Sequence, residues 1–247
     1  MWIERLMRTI RQAAGATLGA TIALALGLIL AVAVRSHPQD LPWTKLDLGQ
    51  PIGMFTGRKL TGLTHAFPRC ERLLRGAGVK FDVLPAISAE QCGYADGVRM
   101  TGGSQRISYS PKGLGTSCAV AAALSVWEWN VVQPAALKRF KSTVTAIDHY
   151  GSYNCRHIRG GSETGWSEHA TADAVDIAAF HLADGTIVSV ARDWSEGNRK
   201  AAFLRDVRNG ACKTFSTVLS PDYNAEHHSH LHLDQAARGE FGWRACR

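Results

Sequence analysis

The chain has 247 residues, with 28 Lys+Arg against 21 Asp+Glu, 10 His and 6 Cys; 45% of it is hydrophobic and 20% charged. These proportions exclude a collagen-like or largely disordered chain, and the length provides for one large domain or two small ones around a real core. The formal charge of +7 invites a nucleic acid, but four Arg against one Glu in residues 1–35 leave only +4 on residues 36–247, and no nucleic-acid partner is expected.

From Gln12 to Val34 there is no charged residue, and Arg11 and Arg35 bracket the run. A bilayer core of ~30 Å needs ~20 apolar residues, so residues 1–35 read as a cytoplasmic N-terminus and a transmembrane anchor. A cleavable signal peptide is the alternative: its apolar region is shorter, ~7–15 residues, and Ala31-Val32-Ala33 would serve as the cleavage site. Three arginines before the run against one after it put the N-terminus in the cytoplasm. The expectation is a single-pass inner-membrane protein that contacts the membrane through this helix and carries its C-terminal part in the periplasm. All six Cys follow the run and none forms a C-x-x-C pair, which suits three long-range disulfides in an oxidising compartment. The spacing leaves 15 connectivities open.

Residues 36–69, with Pro38, Pro42, Pro51 and Pro68, read as a juxtamembrane linker to a folded domain over 70–247. Pro68 opens a short helix through Leu74, stopped by Gly76 and Gly78. Val79, Phe81 and Val83 alternate as in a strand, and Ile107 and Tyr109 do so after a turn at Gly102-Gly103. Val120, Leu124, Trp127 and Val131 form one helical stripe, ended by Pro134, which opens a second short turn through Phe140. Val144–Tyr150 reads as a strand, and 198–209 as a helix with Phe203, Leu204 and Val207 inward and Gly210 as its stop. Phe215–Leu219 and His230–Leu233 complete the strands. The fold class is therefore α+β, an antiparallel sheet with flanking helices.

Two segments carry chemistry, Ser167–Phe180 and His227–Asp234. In the second, alternation puts His230, His232 and Asp234 on one face with Leu231 and Leu233 behind; in the first, Ala174, Asp176 and Ala178 share a face with Val175 and Ile177 behind. An H-x-H on a strand is commonly polar surface, but a carboxylate inside an apolar strand is costly without a partner. If the strands are neighbours, His169, Asp176 and His232 converge on one metal. Two imidazoles and a carboxylate suit Zn²⁺, with a fourth position open for water. His230 would then sit beside the ion without binding it. Trp127 and Trp129 read as core; Trp166 and Trp194 are core by default or cleft lining. Gly160-Gly161 reads as a turn, and no phosphate or dinucleotide fingerprint is present.

The pattern Ser-x-His-x-x-(Gly/Ala)-x-Ala-x-Asp followed by a C-terminal His-x-His resembles the zinc site of the LAS metallopeptidases, which include D-Ala-D-Ala carboxypeptidases, murein endopeptidases and the hedgehog signalling domain. More closely, the chain resembles the bacterial extensin-like C-terminal domain family. Gly151–Arg156, Ser167–Phe180, Leu182–Gly185, Arg192–Trp194 and Val218–Asp234 carry the likeness. The resemblance implies a LAS/hedgehog-like core, zinc on His169, Asp176 and His232, His230 as general base, and His227 as a substrate-side histidine. Arg156, after a Gly-Ser-Tyr turn, resembles an oxyanion-stabilising arginine, with surface arginine as its competing reading. It further implies hydrolysis of peptide bonds in peptidoglycan stem peptides or cross-links. A zinc-stabilised cell-wall binding module without turnover is the alternative. Glu168 reads as solvated, and Ser167 as a loop hydrogen bonder. Ala172 stands where the motif usually has Gly; if the position needs φ > 0, Ala costs on the order of 1 kcal/mol.

Overall fold

A computed structural model describes residues 2–101, 107–158, 165–238 and 244–247. The uncharged N-terminal run is one helix, α1 (Trp2–Ser36), with none of its residues buried; it is long and apolar enough to cross a membrane. Two short helices follow, α2 (Thr56–Thr61) and α3 (Phe67–Gly76), then six strands: β1 (Phe81–Val83), β2 (Ile87–Ala89), β3 (Cys92–Tyr94), β4 (Gly97–Met100), β5 (Ser108–Ser110) and β6 (Leu114–Ser117). Next come α4 (Cys118–Trp127), α5 (Gln133–Phe140), β7 (Val144–Gly151), β8 (Ala174–Leu182), β9 (Ile187–Ser189), α6 (Val190–Asp193) and α7 (Arg199–Ala211). The chain ends with β10 (Thr217–Leu219), β11 (Leu231–Asp234) and β12 (Ala245–Cys246).

The fold is mixed α and β. A seven-stranded sheet runs β12-β10-β11-β8-β7-β5 with β9 paired to β8, and a second sheet runs β1-β4-β6. The large sheet is antiparallel through its centre but mixed at its edges, because β5 joins β7 and β12 joins β10 in parallel. Helices cover one face: Trp127 of α4 and Phe203 of α7 meet Phe180 of β8, with ring centroids 6.0 and 5.2 Å away. All ten residues of α4 are buried, consistent with its alanine-rich sequence. Val175, Ile177, Leu231 and Leu233 point into this core, as the alternation requires. The opposite face of β8 and β11 is left for polar side chains.

The alternation does not run the whole length of β8. The register against β7 shifts between Asp148↔Ala179 and His149↔Ile177, so Ala178 is an extra residue and the phase flips there, turning Phe180 and Leu182 into the core. A second shift, between His149↔Ile177 and Gly151↔Asp176, leaves Tyr150 as the extra residue on β7.

Three other expectations change. The stretch expected to be a linker contributes Leu46, Leu48, Leu60 and Leu63 to the core, each at most 3% exposed, so folded structure begins before residue 70. Of its prolines, Pro38 opens a 3₁₀ turn, Pro42 lies in a turn and Pro68 sits in the first turn of α3. Pro134 does not end the helical path: α4 passes through a π-helical turn, Glu128–Val132, into α5, and Pro134 sits in the first turn of α5. Gly210 lies inside α7 and is not a stop. It is small because a Cβ there would stand 2.2 Å from Cγ1 of Val131. The turns read at Gly102-Gly103 and Gly160-Gly161 lie outside the described residues.

The six cysteines pair as Cys70–Cys118, Cys92–Cys155 and Cys212–Cys246. They tie α3 to α4, β3 to the segment leading into the histidine cluster, and the end of α7 to β12. Loops of 34 to 63 residues place each cross-link at ~4 kcal/mol on the chain-entropy model.

Candidate metal centre

The register of the sheet places His232 of β11 directly opposite Asp176 of β8. His169 arrives from a 3₁₀ turn, Glu168–Thr171, that Ser167 caps by accepting the His169 N–H at 3.3 Å. Ser167 is thus the loop hydrogen bonder that its sequence context suggested. The turn is closed by Ala172 in the left-handed region, φ 60° and ψ 17°. Ala occupies a position that favours Gly, and the loop keeps its course because the Ala172 carbonyl is held from three sides. It accepts the Ser117 N–H at 2.9 Å and the hydroxyls of Thr116 and Ser152 at 3.0 and 3.1 Å.

Ligand-type atoms of His169, Asp176 and His232 all lie within 4.8 Å of one another. His169 Nε2 is 3.2 Å from Asp176 Oδ2 and 3.3 Å from His232 Nδ1, and His232 Nδ1 is 3.0 Å from Asp176 Oδ1. A tetrahedral ion with bonds of ~2.0–2.1 Å has ligand–ligand edges of about 3.3–3.4 Å; the two ring nitrogens stand at that spacing and each faces one oxygen of the Asp176 carboxylate, an arrangement that could hold one small divalent cation. The far ring nitrogens fix the tautomers. His169 Nδ1 donates to the Ser152 carbonyl at 2.6 Å, which leaves Nε2 with its lone pair towards the centre. His232 Nε2 is 3.3 Å from Asp234 Oδ2, which favours the proton on that side and presents Nδ1. Asp234 is itself held, its Oδ1 accepting the Ala236 N–H at 3.0 Å.

Without a cation the cluster is charge-coupled. Burial opposes ionisation of Asp176, but the His169 and His232 rings against its two oxygens outweigh it and hold the carboxyl well below the usual range. Burial likewise opposes the His232 imidazolium, yet Asp176 and Asp234 lift it to about 9. A divalent ion would take over the role of that proton.

Two histidines stand at the open side of the cluster. His230 Nε2 lies 3.5 Å from Asp176 Oδ1, and burial, opposed by Asp176, lowers its basicity. His227 is held by Asn224, whose Oδ1 accepts its backbone N–H at 3.2 Å and its Nδ1–H at 2.6 Å. Burial and the neighbouring His232 and His230 depress it to about 4, and the charge of Arg156 contributes in the same direction. Arg156 is near enough for its charge to be felt there, and its guanidinium donates to the His157 carbonyl at 3.4 Å.

Glu168 is half-buried rather than fully solvated, and burial with the nearby Asp234 and Asp173 lifts it to about 7. Trp194 is core and Trp166 is 38% exposed, stacked on His157 at 4.0 Å. Four participants carried no sequence assignment: the Ser152 carbonyl, Asp234 as a tautomer holder, Tyr150 and Tyr223. Alternation had already set Asp234 on the right face. A main-chain carbonyl leaves no side-chain signal. Tyr150 is the bulged residue of β7, its ring 5.8 Å from that of His230, and Tyr223 lies 5.5 Å from His227.

No curated protein and no solved structure matches the chain. A family model described as "Extensin-like protein C-terminus" matches residues 68–247, the entire stretch that carries the histidine cluster, its three disulfides and the large sheet, and the chain belongs to that family.

Proposed function

We propose that the domain is a zinc-dependent peptide hydrolase that acts outside the cytoplasmic membrane on peptidoglycan stem peptides or cross-links, with α1 as its membrane anchor. The observation that carries this reading is the three-ligand cluster of His169, Asp176 and His232, each imidazole oriented by a partner on its far nitrogen, with two further histidines on its open side. Three protein ligands are the pattern of a catalytic zinc, and a structural site is ordinarily closed by a fourth. Bound zinc would supply Lewis acidity towards a carbonyl oxygen and acidify water.

The chain's own residues supply the rest. His230, neutral at pH 7, offers a ring nitrogen that accepts a proton and later returns it to the leaving amine. His227 holds its Nδ1 proton on Asn224, which leaves Nε2 as an acceptor towards the same space. Arg156 brings a positive charge to the rim, where a substrate carboxylate or a developing oxyanion is stabilised. A likeness to the LAS metallopeptidases in the His-x-His segment supports the choice of reaction. The three disulfides and the arginine asymmetry around α1 support a periplasmic domain and a cytoplasmic N-terminus.

The test is mass spectrometry of purified muropeptides incubated with the zinc-loaded protein and with His169→Ala. A product from the wild type alone supports the reading, and its mass names the bond. Intact muropeptides after incubation with a folded, zinc-loaded protein would favour a binding module without turnover.

A further inference from the structure

Among the described residues beyond α1, Met54 and Trp43 are the most exposed large apolar side chains, at 78% and 71%. Both belong to the layer that immediately follows the helix, and that layer is fastened. The helical hydrogen bonding of α1 extends into it through His37 N–H to the Ala33 carbonyl at 2.9 Å. The Thr44 hydroxyl lies against the carbonyls of Pro38 and Leu41, which folds the turn bearing Trp43 back on the helix end. Lys59 Nζ, from α2, donates to the Pro38 carbonyl at 3.1 Å, Gln39 Oε1 at 3.3 Å and Thr44 Oγ1 at 2.8 Å. Next to Met54 the two strands of this clamp touch: the Met54 N–H donates to Asp40 Oδ1 at 2.7 Å, and a Cβ on Gly53 would stand 2.5 Å from the carbonyl carbon of Gln39. Exposure of a Trp and a Met on such a fixed scaffold is not the result of a loose chain.

The position of this layer selects its occupant. Arg35 is the last charged residue of α1 and marks the headgroup level for a helix that crosses the bilayer. Pro38, to which the turn is bonded, is at most ~11 Å of chain from Arg35. The headgroup region itself is about 5–7 Å thick on each side. Lys45, two residues after Trp43, and Arg58, four after Met54, are exposed as well, with basic heads suited to anionic lipid. We propose that Trp43 and Met54 enter the headgroup layer of the membrane that α1 crosses, so that the domain rests against the bilayer at this edge instead of swinging on a free linker. The proposal rests on α1 being a membrane span.

The test uses the full chain reconstituted in phosphatidylcholine–phosphatidylglycerol vesicles, with lipids brominated either near the carbonyl end or near the methyl end of the acyl chain. The emission of the wild type minus that of Trp43→Phe isolates Trp43 from the other tryptophans, Trp2 included. The expected result is that this difference falls by about half with the shallow bromines and little with the deep ones, as for an aromatic residue at the interface. Equal difference emission with and without bromine overturns the proposal, because a tryptophan held above the lipid stays beyond contact quenching. Retention of the chain on vesicles through an alkaline carbonate wash reports the span separately. Loss in that wash with Trp43 still quenched refutes the span and leaves the interfacial contact standing; retention without quenching refutes the contact alone.

Discussion

Asp234→Asn probes how the candidate centre is held, because it keeps shape and removes one acceptor. In the native chain Asp234 Oδ2 faces His232 Nε2 at 3.3 Å while Oδ1 accepts the Ala236 N–H at 3.0 Å, and the side chain is 3% exposed. An asparagine can satisfy only one of the two. With its oxygen towards Ala236, its amide N–H₂ meets His232 Nε2–H, and the imidazole either carries an unpaired donor or moves its proton to Nδ1, the atom needed for the metal. With its oxygen towards His232, the amide meets the Ala236 N–H and two buried donors oppose each other. Either arrangement costs about 1–3 kcal/mol, the desolvation penalty of one unsatisfied buried group. Charged against the metal-bound state this is about 5- to 150-fold in affinity, which brackets the ~10- to 100-fold usual for partners behind metal-ligating histidines. The assay is competition for zinc against a chromophoric chelator, with His169→Ala as the variant that lacks a ligand and far-UV circular dichroism to confirm folding. A folded Asp234→Asn protein whose zinc affinity stays within about twofold of the wild type would refute the tautomer argument.

Other substitutions test the framework. Ala172→Val should destabilise by more than about 1 kcal/mol, since a β-branched residue is an outlier at φ 60°. Ala172→Gly should stay within about 1 kcal/mol of the wild type in urea unfolding, because relief of ~1–2 kcal/mol is offset by backbone entropy and the loss of a buried methyl. Gly210→Ala should cost about 1–3 kcal/mol in the same measurement, as its Cβ would meet the Val131 side chain at 2.2 Å. Asp96 gives a pH test with a definite sign. Burial and the nearby Asp173 raise its carboxyl from the ordinary 3.8 to about 6, and its Oδ2 has no hydrogen-bond partner among the described residues. The native state therefore binds the extra proton between those values, so this contribution costs stability as pH rises from about 4 to 6 and nothing below. Asp96→Asn should gain about 1–2 kcal/mol at pH 7.5, after discounting for partial solvent access, and little at pH 4; an equal effect at both pH values would refute it.

Much of the centre could be read from local pattern. Alternation at Val175-Asp176-Ile177 and Leu231-His232-Leu233 states which residues face the core and which face away, because a strand's side chains have period two and the apolar set must be buried. The left-handed φ of Ala172 was a conditional expectation that came from the family motif, where Gly usually stands, because an alanine by itself gives no local signal for φ > 0. The long uncharged run and the even, separated cysteines were equally legible as composition. Tertiary structure alone decided which cysteines pair, since 34- and 63-residue separations carry no spacing signal. It decided that Leu46 and Leu60 are core, because short apolar pieces between prolines have no period until a neighbour covers them. The two bulges at Ala178 and Tyr150 depend on register against a partner strand, and they aim Tyr150 at His230 and turn Phe180 inward. The proton positions depend on a backbone carbonyl of Ser152 and a carboxylate two residues beyond His232, so the sequence names three candidate ligands while the fold determines which nitrogen each histidine presents.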